Sequence, residues 1–232
     1  CMIGTDFGLL IGPNSTMGGG CYSMLIGHNS VTCPSNYISS VGACNRVFCN
    51  NANASVFGTL NTIYQGATGA LVLGNASVGA TGSCNSIVIG NSSTSCNTGA
   101  IVIGNGLTSE KTNTVHLNNL IAYGQAASKT NAVGTTGGTV TLDWDNSNIQ
   151  TLSLDSSITT LTKSNPIDGA VYTVFVTQGG TGSYTVDWGS DVNWPGGTPP
   201  TLSTAVAATD AVSLVYVAGI TGYYGNANLN FS

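Results

Sequence analysis

The chain has 232 residues, a formal net charge of −5 and only 6% charged residues, against about 25% in an ordinary soluble protein. Four Lys and Arg in all make no basic patch for nucleic acid, and no run of ~18 apolar residues is present to cross a membrane as a helix. Gly alone contributes 32 residues, and Ser, Thr and Asn are abundant, which disfavours helix and suits β structure with many tight turns.

Charge divides the chain. Residues 1–106 hold Asp6 and Arg46 and no other charge, whereas 130–232 hold seven Asp and Lys163. The first region is repetitive. LVLGN (71–75) is followed by IVIGN at 87–91 and again at 101–105. The Gly ending each such phrase falls at Gly12, Gly27, Gly42, Gly58, Gly74, Gly90 and Gly104, in steps of 15, 15, 16, 16, 16 and 14. A fixed short period signals a solenoid. A rung of ~15 residues accommodates two short strands and two turns but not a strand and a helix. Residues 1–106 are therefore expected to form a narrow parallel β-roll.

Side chains alternate along a strand. The residues one and three before each Gly share one face, as Leu71 and Leu73 do. The residue between them faces the other way: Leu10, Leu25, Ser40, Val56, Val72, Val88 and Val102. Both faces are largely apolar, and a thin roll buries only one within itself. The intervening column is expected to be the seam of a homotrimer, through Leu10, Leu25, Val56, Val72, Val88 and Val102. The recurring Gly reads as a turn residue of positive φ or a point of close backbone approach. Asn75, Asn91 and Asn105, which follow it, read as positions tolerant of left-handed geometry.

All seven Cys lie between Cys1 and Cys96. The count is odd, no C-x-x-C occurs and only two His are present, so neither a complete disulfide framework nor a zinc site is expected. Cys33 and Cys49 each stand nine residues before their Gly. They are candidate stacked thiols on neighbouring rungs, packed as small hydrophobes or joined as a disulfide. Four sequons begin at Asn14, Asn53, Asn75 and Asn91, in a context where turn chemistry already explains Asn and Ser.

Residues 70–106, ALVLGNASVGATGSCNSIVIGNSSTSCNTGAIVIGNG, resemble the head repeats of trimeric autotransporter adhesins, which recur in phage tail fibres. The resemblance covers roughly residues 9–106 and implies left-handed parallel β-rolls, three chains to a head. The Cys-rich early rungs depart from that pattern. The chain opens at Cys1 inside the repeat, so further polypeptide is expected before it.

Residues 107–137 read as a neck and linker. VHLNNLIAYGQ is a strand or a neck, and SKTNAVGTTGG a flexible joint. Strand-like runs then follow at VTLDW (140–144), IQTLSL (149–154), ITTLT (158–162), AVYTVFVTQ (170–178), SYTVDW (183–188), AVSLVYVAG (211–219) and YYGNANLNF (223–231). Their short spacing predicts a β-sandwich over 138–232, jelly-roll-like. DWDNSN (143–148) has the start of a calcium loop without its later Gly and Glu, and a hairpin turn is the preferred reading. The order GAVYTVFVTQGGTGSYTVDWGSDVNWPGGTPPTL, DAVSLVYV and YYGNANLNFS resembles a C-terminal domain of phage tail-fibre and virion-appendage proteins, which implies a trimeric fibre tip and no chemistry.

The fold class expected is thus all-β: a parallel β-roll followed by a β-sandwich, assembled as a homotrimer. The function expected is a non-enzymatic viral fibre or spike on the virion surface, without cofactor or metal. Its partners would be its own copies, a host-surface glycan or protein, and whatever precedes Cys1. Trp188, Trp194, Tyr223 and Tyr224 are candidate receptor contacts, because aromatic faces stack on sugars; a core role is the alternative for Trp194 and one Tyr. Two other readings stand beside this one. A bacterial surface adhesin is built from the same repeat. In a glycan-degrading fibre, Asp187 and Asp191 would act as paired carboxylates, although no nucleophile motif accompanies His28 or His116.

Overall fold

A computed structural model describes residues 8–19, 21–123, 126–220 and 222–231; Cys1 and Asp6 lie outside them. The chain forms two compact units, Cys1–Ile121 and Ala122–Ser232.

In the first unit the strands are β1 (Leu9–Ile11), β2 (Thr16–Met17), β3 (Met24–Ile26), β4 (Val31–Thr32), β5 (Ser39–Val41), β6 (Arg46–Val47), β7 (Ser55–Thr59), β8 (Thr62–Ile63), β9 (Leu71–Asn75), β10 (Val78–Gly79), β11 (Ile87–Asn91), β12 (Thr94–Ser95), β13 (Ile101–Asn105) and β14 (Val115–Leu117). They alternate between two parallel sheets. One is eight-stranded in the order β1-β3-β5-β7-β9-β11-β13-β14, and the other six-stranded in the order β12-β10-β8-β6-β4-β2. This is a parallel β-solenoid, as the period predicts. The second strand of each rung is only two residues long, and β14 carries the coil past residue 106.

Rungs stack in register, with Val72 opposite both Val56 and Val88. The recurring Gly meets both of its requirements. Gly74 has φ 147°, and a Cβ built on it would lie 1.7 Å from the Gly90 carbonyl oxygen. No side chain fits between backbones that close. The left-handed residue that follows is not the Asn column. It is one position further on, at Asn29, Cys44, Leu60, Ala76 and Ser92, with φ between 52° and 59°.

Three residues after each Gly from Gly12 to Gly90 stands a buried polar side chain: Ser15, Ser30, Asn45, Asn61, Ser77 and Ser93. Each donates to the Gly carbonyl of the next rung and accepts from that rung's backbone. Asn61 Nδ2 donates to the Gly74 carbonyl (2.8 Å), and Asn61 Oδ1 accepts from the Ser77 amide (2.9 Å). Ser77 repeats this with the Gly90 carbonyl (3.1 Å) and the Ser93 amide (3.3 Å). Buried polar groups are costly unless paired, and this ladder pairs them continuously. At the opposite corner Asn51 does the same for the Tyr64 carbonyl (2.9 Å) and the Ala67 amide (2.7 Å).

Between the sheets lies the core of the coil. Leu25, Val56, Val72, Val88 and Val102 are completely buried there, packed with Ile38, Val47, Ala54, Ile63 and Ala70. This corrects the expected seam. The column containing Leu25 and the valines fills the chain's own interior, and Leu10 is only partly buried in the first described rung. In the later rungs the inward column is Val throughout, whereas Phe57, Leu73 and Met24 face outward.

The second unit is a mixed six-stranded sheet of β15 (Thr130–Asp143), β16 (Ile149–Ser164), β17 (Val171–Gln178), β18 (Val192–Asn193), β19 (Thr209–Tyr216) and β20 (Tyr223–Phe231), ordered β15-β16-β17-β19-β20-β18. β15 runs through the stretch read as a flexible joint. It pairs parallel to β16, with register shifts beside Gly134 and Gly138. The turn at 144–148 therefore does not close a hairpin. β15 bends at those shifts, and the Gln150 side-chain amide returns to the Asp143 carbonyl at 2.8 Å. IQTLSL and ITTLT are one strand, and SYTVDW is none, bridging only from Val186 to Ile158. One sheet face, with Leu152, Leu154, Tyr172, Val174, Val212 and Leu214, packs beneath Val140, Leu142, Trp144, Leu161 and Trp188.

Asn61→Ala strips the Ser77 amide and Gly74 carbonyl of their partners, and each loss costs about 1–3 kcal/mol. The urea midpoint of the solenoid is expected to fall by an amount equivalent to about 2–4 kcal/mol. An unchanged midpoint would deny the ladder its structural role. Leu60 is 58% exposed at φ 59°, a conformation that costs a side chain roughly 1–2 kcal/mol. Leu60→Gly is therefore expected to stabilise by about 0.5–1 kcal/mol, read as a raised melting temperature.

Candidate functional site

The aromatic residues predicted to meet a receptor do not form one surface. Trp188 is 2% exposed and Tyr223 3% exposed, both in the core of the second unit; the core alternative holds for this Tyr, and Trp188, expected at the receptor surface, is core as well. The indole of Trp188 meets that of Trp194 edge-on at 5.6 Å. Trp194 is half-buried over Gly225, where a Cβ would come within 2.5 Å of its ring. Tyr224, next to Tyr223 in β20, points to the opposite sheet face and is 39% exposed.

Tyr223 is the centre of a closed network. Its hydroxyl accepts a hydrogen bond from Trp144 Nε1 at 2.9 Å. Trp144 stacks on Tyr172 at 4.1 Å, and the Lys163 ammonium lies 5.7 Å from the centre of the Tyr223 ring. Burial, opposed by the Trp144 hydrogen bond, pushes the Tyr223 phenol up to about 12. Lys163 is fully buried, pairs with Asp191 at 2.9 Å and donates to the Trp188 carbonyl at 2.6 Å. Asp191 is thus occupied as a counter-ion. Asp187 accepts from the Gly189 amide, closing a tight turn.

The polar motifs are also structural. Asp143 accepts from the Asp145 amide (3.1 Å) and Asn165 Nδ2 (2.8 Å). The sequon asparagines are exposed, but Ser15, Ser77 and Ser93 of three sequons are buried members of the ladder. His116 Nε2 is 2.7 Å from Thr114 Oγ1.

The structure brings two features together. Cys33 and Cys49 are half-buried free thiols on neighbouring rungs, where the Cys33 amide donates to the Val47 carbonyl at 2.9 Å. The hydrogen bond with the Cys49 thiol, with burial second, raises Cys33 above the ordinary thiol value, while the Cys49 amide pulls it back. Their alignment differs by one from the expected register. Thr32 pairs with Val47, so Cys33 lies opposite Phe48 and Cys49 is one residue further along the neighbouring rung.

The second feature is the outward face of the eight-stranded sheet. Its two columns are Leu9, Met24, Ser39, Ser55, Leu71, Ile87, Ile101 and Val115, beside Ile11, Ile26, Val41, Phe57, Leu73, Ile89, Ile103 and Leu117. All but the two Ser are apolar, and none is charged. Ile11 is 52% exposed, Phe57 39%, Ile103 40% and Val115 58%. The sequence displays these columns, but alternation alone does not say which face turns inward. No protein-family model matches this chain, and no curated protein matches it.

The Tyr223 shift has a defined sign. The folded state holds the neutral phenol up to about 12, whereas the unfolded phenol ionises near 10. The associated stability is complete below pH ~10 and is lost as pH rises from ~10 towards ~12. Denaturation midpoints across this window should fall for the native chain and fall less for Tyr223→Phe. Equal slopes would remove Tyr223 as the cause.

Proposed function

We propose that this chain is a structural, non-enzymatic fibre protein. Its solenoid assembles with two further copies, and its C-terminal unit is presented for attachment to a host surface. The observation that carries the reading is the outward apolar face of the eight-stranded sheet. Eight strands at ~4.8 Å spacing make a stripe about 34 Å long. Single exposed apolar residues are ordinary, whereas a continuous stripe of this kind marks an association surface.

A second copy is the favoured occupant for two reasons. The stripe repeats with the rung period, so an identical coil offers matching ridges at matching intervals. It also lacks charge, as the centre of an obligate interface does. Threefold closure is what the likeness to trimeric adhesin heads and phage fibres adds. On this reading Leu71, Leu73, Ile87, Ile89, Ile101 and Ile103 replace the valine column as the seam. Tyr224 and Trp194 remain the accessible members of the predicted receptor set, and the attachment surface would be a glycan or protein of the host. Placement on a virion appendage belongs to the same proposal.

The test separates the two columns. Ile89→Lys with Ile103→Lys should give a monomer by sedimentation equilibrium, with the β circular dichroism of the native chain retained. Val88→Asp, which buries a charge inside the coil, should instead lose β structure. A native chain that is monomeric at micromolar concentration, or a double variant that stays assembled, would sink the proposal.

A further inference from the structure

The rung ending at Gly42 is where the coil is least apolar. Ser40 stands completely buried in the column that is Val in later rungs. Ser39 and Ser55 interrupt the outward stripe at the same level. Asn45 and Asn51, both completely buried, occupy the two corners. Cys33 and Cys49 meet in this place, on the six-stranded sheet side of the same rungs. The Cys33 amide donates to the Val47 carbonyl at 2.9 Å, holding the two segments together. Val31, Arg46, Val47 and Phe48 line an open groove against Cys33. Cys84 differs: its thiol donates to the Gly66 carbonyl at 3.2 Å.

We propose that Cys33 and Cys49 form a thiol–disulfide modification site, closed across neighbouring rungs by a low-molecular-weight disulfide such as oxidised glutathione. Adjacent strands lie ~4.8 Å apart and the two residues are offset by one ~3.3 Å step along them, so their Cα atoms are about 6 Å apart, inside the separation a disulfide requires. One thiolate attacks the small disulfide, forming a mixed disulfide and releasing the first small thiolate. The second cysteine, on the neighbouring rung, attacks the protein sulfur of that mixed disulfide and releases the other small thiolate. The protein loses two electrons and two protons, and one small disulfide becomes two small thiols. The cysteines' place on neighbouring rungs makes the second step intramolecular, so the mixed disulfide does not accumulate. The open groove gives the reagent its approach. The product is a covalent staple at the level where the core is most polar, as small domains short of apolar core use disulfides. The solenoid thereby gains an oxidised, stapled form beside a reduced form that relies on backbone pairing and the Ser30, Asn45 and Asn51 hydrogen bonds at this level.

The full chain, equilibrated with mixtures of oxidised and reduced glutathione, tests this. Intact mass should fall by two hydrogen atoms. Peptide mapping after alkylation should place a Cys33–Cys49 link in the product, with no lasting glutathionyl adduct on either residue. The oxidised form should melt about 5 °C or more above the reduced form. Cys33→Ser and Cys49→Ser should each abolish that difference, and Cys84→Ser should retain it. Should the serine variants fail to fold, the mapping of the native chain decides alone. A stable glutathionyl adduct at Cys33 or Cys49, a link between other cysteines, or two thiols that stay reduced against oxidised glutathione would overturn the assignment.

Discussion

Everything in the solenoid depends on one repeated contact: a backbone of glycine lying directly against the carbonyl of the glycine one rung on. At 1.7–1.8 Å from a would-be Cβ to that oxygen, the position admits no other residue. The contact sets the rungs at sheet spacing, but it also leaves carbonyls and amides in an interior with no water. The Ser and Asn three residues later resolve this. Each supplies one donor and one acceptor, which is what one rung must offer the next. Ser and Asn therefore interchange freely between Ser30, Asn45, Asn61 and Ser77, and the ladder ends at Leu107, whose amide donates to Ser93 Oγ (3.2 Å) but whose apolar side chain passes nothing on.

A coil built this way is thin. Its two sheets leave room for one shared layer of side chains, and the other apolar column of the longer strands is left on the outside. The geometry that makes the rungs regular thus creates the exposed stripe, and the stripe in turn asks for a partner. The sequence showed the period, the rung size and both apolar faces. It did not show which face turns inward, because alternation is symmetric. A clue was present in residue volume: from Val56 onward the inward column is Val alone, while the outward columns mix Leu, Ile and Phe.

The second unit was legible in part. AVYTVFVTQ, AVSLVYVAG and YYGNANLNF became β17, β19 and β20 because each alternates cleanly and each is long. SYTVDW alternates equally well, yet only Val186 finds a bridge, its neighbours being taken up by turns such as Tyr184 with Gln178. The parallel course of β15 and β16 was hidden because their connection, WDNSN, looks like a tight turn; the bends at Gly134 and Gly138 lie in a segment whose Gly and Thr read as flexible. For the aromatic set, composition announced Trp and Tyr without saying whether they were core or surface. Tyr223 and Tyr224 sit on opposite faces, and only the pairing of β20 decides which is which.

The near absence of charge before residue 107 follows from the stacking itself. In a coil, a residue type that repeats with the rung lies directly over its own copy. Two like charges 4 Å apart repel by about 1 kcal/mol in water and about 4 kcal/mol near a protein surface. A charged column would therefore oppose the register that the glycines impose. Ser, Thr and Asn columns carry no such cost, and they hydrogen-bond along the axis, as Thr59 does to Asn75 at 2.9 Å. Arg46 is the exception that fits: its outward neighbours across β4 and β8 are Val31 and Thr62, neither charged. The second unit has no stacked repeat, so nothing excludes charge there, and the acids gather in it. The charge asymmetry first visible in the sequence is thus a consequence of how each half buries its backbone, and it marks the change of architecture.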